Sequence, residues 1–470
     1  MRNQFNLSHE HKTSVDMGQL IPVMTEEVLP GDTFIHRATA LARVAPLVNP
    51  LMHRVELRMH TFYCPNRLIW QDIERDLDLG EKTGGNWEDF ITGNDESLLG
   101  KPTYLTGAQE PLLDYMGIPP KEGLEVDAFP LAMYNMVYNE FYRDQDLQTK
   151  RGLFSNTVAR CAWQKDYFTI ARPQPQQGEQ EAIPIQSKML RGASEGGTEG
   201  TYRDQDNQDY TMQNTPRFVY VDGSFQDGIG TIEIDDLRRQ IALQRFAEAR
   251  MRFGSRYIDY LRYLGVNPTD GRLDRPEYLG GGKELLSFSE VLSTAKGTDT
   301  NVGDMFGHGI GMGQMNGYRK QFEEHGWVMT FLSARPKTVY QDAVPRKFQR
   351  HEPMDYWQKE LEVLPWQEVK EQEVHKDGDP TKPWGYVPRY EEYRHGVSYV
   401  SGSLRGGTEN DWHMAREFAT PPALNGSFVE CTPTDRIYQD SNMPDLVLNI
   451  QHNIKARRLV GQTAAMGVDL

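Results

Sequence analysis

An antiparallel β-sandwich or jelly roll with large insertions is the fold class this sequence predicts, on three observations. The first is alternation. Val55, Leu57, Met59 and Thr61 interleave with Arg54, Glu56, Arg58 and His60, the period of two that marks a strand with one buried face. The second is a set of short β-rich runs at 217–221, 326–332, 397–400 and 446–450, separated by long segments rather than tight hairpins. The third is the lack of any βαβ alternation, which disfavours a doubly wound sheet. With 42 Gly and 27 Pro and a mean hydropathy of −0.65, the chain reads as a modest core carrying long polar loops.

The helices follow from a different period. Ala242, Phe246, Ala249, Phe253, Tyr257, Tyr260 and Leu264 lie on one apolar stripe, which predicts a helical insertion over 235–264. Asp235 or Asp236 suits its start, and Gly265 and Pro268 end it. A shorter helix is expected from Pro130 to Arg143, with proline in its tolerated first turn. Three stretches read as loops: a polar region at 174–216, a glycine-rich loop at 303–317 and an acidic surface loop at 362–380. No repeat or composition shift divides the 470 residues, so one elaborated domain is expected.

Composition excludes several functions. No apolar run approaches the length of a membrane-spanning helix, and the first residues lack the pattern of a secretory signal. Cys64, Cys161 and Cys431 are far apart in sequence and odd in number, which suits a reducing cytoplasm rather than a disulfide framework. A formal net charge of −16 argues against a protein that coats nucleic acid over its whole surface. Any such contact is local.

Few motifs carry chemistry. Gly311, Gly313 and Gly317 give GxGxxxG, not the dinucleotide fingerprint, and Gly282-Lys283-Glu284 lacks the hydroxyl that a phosphate loop places after lysine. His9, His11, His36, His53 and His60 crowd the first sixty residues, but without metal-ligand spacing they read as separate hydrogen-bonded side chains. Neighbouring acids such as Glu323 and Glu324 point to opposite faces of a strand and make no dyad. No catalytic, cofactor or metal site is therefore expected. Positive charge concentrates in two places, seven arginines against four acids over 235–262, and Lys455, Arg457 and Arg458 near the end of the chain.

Longer blocks are more specific. Pro30-Gly31-Asp32-Thr33-Phe34, Arg43-Val44-Ala45-Pro46-Leu47, Phe62-Tyr63-Cys64-Pro65-Asn66-Arg67, Arg275-Pro276-Glu277-Tyr278-Leu279-Gly280 and Arg389-Tyr390-Glu391-Glu392-Tyr393-Arg394 run in order along nearly the whole chain. In these blocks the sequence resembles the major capsid proteins of microviruses, especially the gokushovirus-like branch. The resemblance implies a mainly β protein, a single eight-stranded antiparallel jelly roll with long loop insertions and a few helices. It also implies a structural role and no enzyme activity: pentamers and about sixty copies in a T=1 icosahedral shell around circular single-stranded DNA. The implied partners are that genome, a small basic DNA-packaging protein, scaffold or minor capsid proteins and a host surface receptor met by the variable insertion at 174–216. Assembly would occur in the host bacterial cytoplasm, with no membrane. DNA contact is expected at Lys455, Arg457 and Arg458, and at Arg238, Arg239 and Arg245 of the helical insertion. A β-sandwich carbohydrate-active enzyme, or a lectin-like module, with Trp366 and Trp384 in a cleft is the alternative.

Overall fold

The computed structural model describes residues 3–76, 87–92, 101–108, 110–176, 234–253, 274–292 and 305–461, with short stretches at 191–192, 201–203, 209–211, 218–219, 259, 262–263 and 269–270. The chain forms two units: Met1–Pro175 with Gly254–Leu470, and Gln176–Phe253.

In the first unit the alternating and apolar runs become strands. They are β1 (Asn3–Asn6), β2 (His9–Val15), β3 (Gln19–Val28), β4 (Thr33–Val44), β5 (Val55–Pro65), β6 (Ala159–Arg160), β7 (Glu277–Leu285), β8 (Ser287–Leu292), β9 (Met305–Gln314), β10 (Tyr318–Gln321), β11 (Gly326–Pro336), β12 (Trp366–Lys370), β13 (Pro383–Pro388) and β14 (Leu446–Arg458). A seven-stranded sheet runs β1-β14-β4-β9-β8, with β2 also on β14 and β10 also on β4; a five-stranded sheet runs β7-β5-β11-β3-β6. Their ladders are antiparallel. The expectation of a mainly β, antiparallel chain is met.

The two sheets enclose one core, to which Phe34, Leu57, Met59, Val328, Leu332, Leu448 and Ile450 contribute. The five-stranded sheet is covered on its other side as well. Phe62, Met329 and Phe331 pack there against Ile69 and Trp70 of α1 (Asn66–Asp76) and against α2 (Phe129–Val137). This explains why 326–332 is buried almost without a break, whereas β14 alternates buried and exposed residues along its length. Helix α2 is buried all round, with Pro130 in its first turn, and continues into a π-helical turn at Tyr138–Tyr142.

Three expectations about local structure change. The predicted glycine loop at 303–317 is largely strand β9, between β4 and β8. Its glycines recur at every second residue because they face inward where neighbours leave no room. A Cβ on Gly309 would lie 2.5 Å from Val44 Cγ2, one on Gly313 would lie 2.8 Å from Leu57 Cδ2, and one on Gly307 would strike the Asn49 carbonyl oxygen. The acidic stretch at 362–380 is no open loop either, since β12 pairs with β13 and a helical turn follows at Glu371–Val374. Glu373 there is 1% exposed, accepts a hydrogen bond from Tyr167 Oη at 2.8 Å and pairs with Arg346 at 3.2 Å, partners that permit a buried carboxylate. The run at 397–400 joins no ladder and makes only an isolated bridge from Tyr399 to Tyr340.

In the second unit, α3 spans Ile234–Phe253. Most of the rest of the predicted helix, including Tyr257, Tyr260 and Leu264, lies outside the described residues. Of the polar insertion, two short ladders are described, Thr201–Arg203 with Asp209–Thr211 and Arg191–Gly192 with Phe218–Val219.

Candidate nucleic-acid interface

The seven-stranded sheet has one buried face, so every second residue of its strands is presented outward. On β14, Leu448, Ile450, His452, Ile454 and Ala456 point into the core, and Asn449, Gln451, Asn453, Lys455 and Arg457 point out. Register with β4 sets Lys455 beside Ile35, Asn453 beside Arg37 and Val447 beside Arg43. On the other side of β4, Arg319 of β10 lies opposite Ile35, and Ile310 of β9 lies opposite Arg43. Gln4 and Asn6 of β1 complete the face beside Arg457 and Lys455.

Six cations thus share one surface: Lys12, Arg37, Arg43, Arg319, Lys455 and Arg457. Among the described residues of this face the acid is Glu10, which pairs with Lys12 at 3.1 Å. The other five have no carboxylate partner among the described residues. Gln4, Thr33, Arg319, Gln321 and Arg457 line a shallow cavity there of about 500 Å³. Cations without partners, amide side chains and exposed Ile35, Leu41, Ile310 and Met312 can meet the phosphates, base edges and base faces of an extended polyanion.

The expected DNA residues are divided by this geometry. Lys455 and Arg457 are on the cationic face. Arg458 has the opposite parity and turns away. Its Nε lies 3.0 Å from Oδ2 of the fully buried Asp32, its Nη2 donates to Glu27 O at 2.7 Å, and its guanidinium lies 5.4 Å from the Phe34 ring. Arg239 and Arg245 are exposed on α3 in the second unit; the side chain of Arg238 lies outside the described residues. Arg37, Arg43 and Arg319 join the face from positions far apart in sequence, so local charge density does not reveal them. The parity of 446–456, extended two residues, separates Arg457 from Arg458 without a structure.

Beneath the same sheet, histidines converge that read as separate in sequence. The His452 Nε2–H donates to Val23 O at 3.1 Å, which leaves His452 Nδ1 to accept from His36 Nε2–H, also at 3.1 Å. The His9 ring lies 5.1 Å from that of His452, tilted by 33°, and His11 Nδ1–H donates to Val23 O at 2.8 Å. Burial holds the imidazoles neutral, lowering His36 to about 4 and His452 to about 3. Among the described residues no group of three or more His, Cys, Asp or Glu side chains is arranged to hold a metal, and no described helix is long and apolar enough to cross a membrane.

A larger cavity of about 570 Å³ is lined by Arg58, Tyr142, Asp144, Lys165, Arg172 and Arg335 among others. Asp144 is committed within it to Lys165 at 2.8 Å and Arg172 at 3.0 Å, which hold its carboxyl below the usual range against the opposing effect of burial. Trp384, expected in a sugar cleft under the alternative reading, is instead core: it packs on Phe428 at 4.9 Å and donates from Nε1 to Pro422 O at 2.6 Å.

Comparison with known proteins decides the family. The family described as "Capsid protein (F protein)" matches residues 1–467. The chain belongs to this phage capsid protein family. Capsid protein VP1 of Chlamydia phage 1 is 28% identical, covering 97% of this chain and 94% of the relative. Capsid protein VP1 of Bdellovibrio phage phiMH2K is 29% identical over 95% and 91%, and that of Spiroplasma virus 4 is 24% identical over 97% and 93%. The resemblance to microvirus capsid proteins is borne out, and the cationic face is a surface of a phage capsid protein.

Proposed function

We propose that this capsid protein builds a T=1 icosahedral shell of about sixty copies around circular single-stranded DNA, with the exposed face of the seven-stranded sheet turned to the genome. The observation that carries the reading is the gathering of Lys12, Arg37, Arg43, Arg319, Lys455 and Arg457 on one face of a chain whose net charge is −16. Contact is by phosphate neutralisation, without sequence readout, as a shell around a whole genome requires.

Strand order supports the eight-stranded jelly roll. Take β2, β3, β4, β5, β7, β9, β11 and β14 as first to eighth. The first then pairs with the eighth, the second with the seventh, the third with the sixth and the fourth with the fifth. A long hairpin rolled into two facing sheets has this order, with β1, β6, β8 and β10 as additions. The role is structural, and no enzyme activity is proposed.

The insertion at 174–216 falls mostly within the separate unit Gln176–Phe253, which suits a host-contacting protrusion. Pentameric intermediates, scaffold or minor capsid proteins and assembly in the host cytoplasm are part of the same proposal. An acidic chain neutralises little DNA alone, so a small basic packaging protein is also proposed.

The test replaces Lys455 and Arg457, together with Arg37 and Arg43, by alanine and measures DNA per purified particle. Shells of normal form with reduced DNA are expected. Normal DNA content in well-formed shells would overturn the assignment of this face. Deleting 198–213 should likewise impair host attachment while particles still form; attachment at the wild-type level would remove that loop as the receptor surface.

A further inference from the structure

Cys161 and Cys431 are 1% and 0% exposed and pack with Trp163 in a cluster of their own, while Cys64 lies in a different one. They sit on two segments joined by an antiparallel bridge between Ala162 and Glu430. The Cys431 N–H donates to the Cys161 carbonyl at 2.8 Å, and the Trp163 N–H donates to the Val429 carbonyl at 2.9 Å. This register sets the two cysteines directly opposite each other. One of the two possible backbone bonds is made, because the Cys161 N–H donates to the Gly18 carbonyl at 2.8 Å. Facing residues of an antiparallel pair have Cα atoms about 4.5–5.5 Å apart. A disulfide spans Cα separations of about 4.4–6.8 Å. Both thiols are free, and both lie in the same buried cluster. Arg335 lies alongside, its Nη1 donating to Ala162 O at 2.8 Å.

We propose that Cys161 and Cys431 form a peroxide-driven disulfide staple, made after the chain leaves a reducing compartment. Burial disfavours ionisation of Cys161, but the S–H of Cys431 and the charge of Arg335 bring it below the usual thiol range, while burial and the proton shared with Cys161 hold Cys431 above it. Cys161 is therefore the attacking sulfur. Its lone pair attacks one oxygen of hydrogen peroxide, the O–O bond breaks, and the leaving hydroxide is protonated to water, giving a sulfenic acid. The Cys431 sulfur, losing its proton, then attacks the Cys161 sulfur; the S–S bond forms, the S–O bond breaks and a second water leaves. Two thiols are oxidised by two electrons, and one peroxide becomes two waters. A neutral oxidant of this size suits a buried pair. The closed loop runs from 161 to 431, and long loops restrict the unfolded chain most.

The capsid reading supplies only the occasion for oxidation, as the particle leaves the host; the thiol chemistry stands apart from it. Full-length protein is treated with hydrogen peroxide, quenched, unfolded, alkylated and digested. A Cys161–Cys431 linked peptide is expected, with Cys64 still alkylated, the link reversed by dithiothreitol, and a raised thermal midpoint before reduction. Cys431→Ser should stop at a dimedone-reactive sulfenic acid on Cys161; if that variant does not fold, the wild-type peptide map decides. Both cysteines remaining separately alkylatable, or advancing to sulfinic acid without a link, would overturn the staple. Shell formation is scored separately by electron microscopy, so failure of the capsid reading is distinguishable.

Discussion

His36 and His452 are held in a neutral chain by the Val23 carbonyl, and this fixes how the protein responds to acid. Their folded values, about 4 and about 3, lie below the ordinary 6.5, so between these values the unfolded chain binds more protons than the folded one. Stability is then full near neutral pH and falls as pH drops through 6.5 toward 4, by about 3 kcal/mol for His36 alone. His53 and His60, each lowered to about 4, act in the same direction. Asp445, pushed up to about 6 chiefly by burial, acts in the opposite one and offsets part of the loss. Thermal midpoints measured from pH 7 to pH 4 should decline steadily; a flat profile would contradict the neutral pair. Arg458→Ala gives a second residue-scale prediction. Removing the cation beside fully buried Asp32 should cost on the order of 3 kcal/mol in chemical denaturation, whereas Arg457→Ala should be near neutral there. Neither pair was legible in sequence, because Asp32 and Arg458, like His36 and His452, are more than four hundred residues apart.

Strand β9 shows what local composition conceals at the scale of the element. Glycine density reads as a loop because glycine has a low strand propensity and no side chain to pack. Here a Cβ at Gly307 would meet the Asn49 backbone, and one at Gly309, Gly311 or Gly313 would crowd Val44, Leu286 or Leu57, so the missing side chains let the core residues pack closely on this strand. Gly307→Ala should therefore lower expression of folded protein, with an overpacking cost of about 1–3 kcal/mol, because its Cβ meets backbone of residue 49 that cannot turn aside. Met312→Thr, on the exposed face of the same strand, should leave the melting midpoint within a degree or two of wild type. Elements with a clean period or a β-rich composition were legible: the alternation at 55–61 is β5, the β-rich run at 326–332 begins β11, and Pro130 lies in the first turn of α2. The run at 397–400 had β-forming residues but no neighbouring strand to pair with.

For the whole molecule, the distribution of charge matters more than its sum. A chain of net charge −16 still presents a sheet face on which cations outnumber acids. Single-stranded DNA binding by the full-length protein should weaken with salt, and the log–log slope should fall by about 0.7 for each of Arg37, Arg43, Lys455 and Arg457 replaced by alanine. An unchanged slope would mean that DNA is held elsewhere. The amino-acid order alone determined the antiparallel β class, helices α2 and α3 though not α1, and, through blocks spread along the chain, the capsid family, because period, turn chemistry and family motifs are properties of neighbours in sequence. Only the tertiary structure decided which cations share a face, which cysteines meet and why β9 is glycine. Those depend on register between strands hundreds of residues apart, and a shift of one residue would turn every side chain to the other side of the sheet.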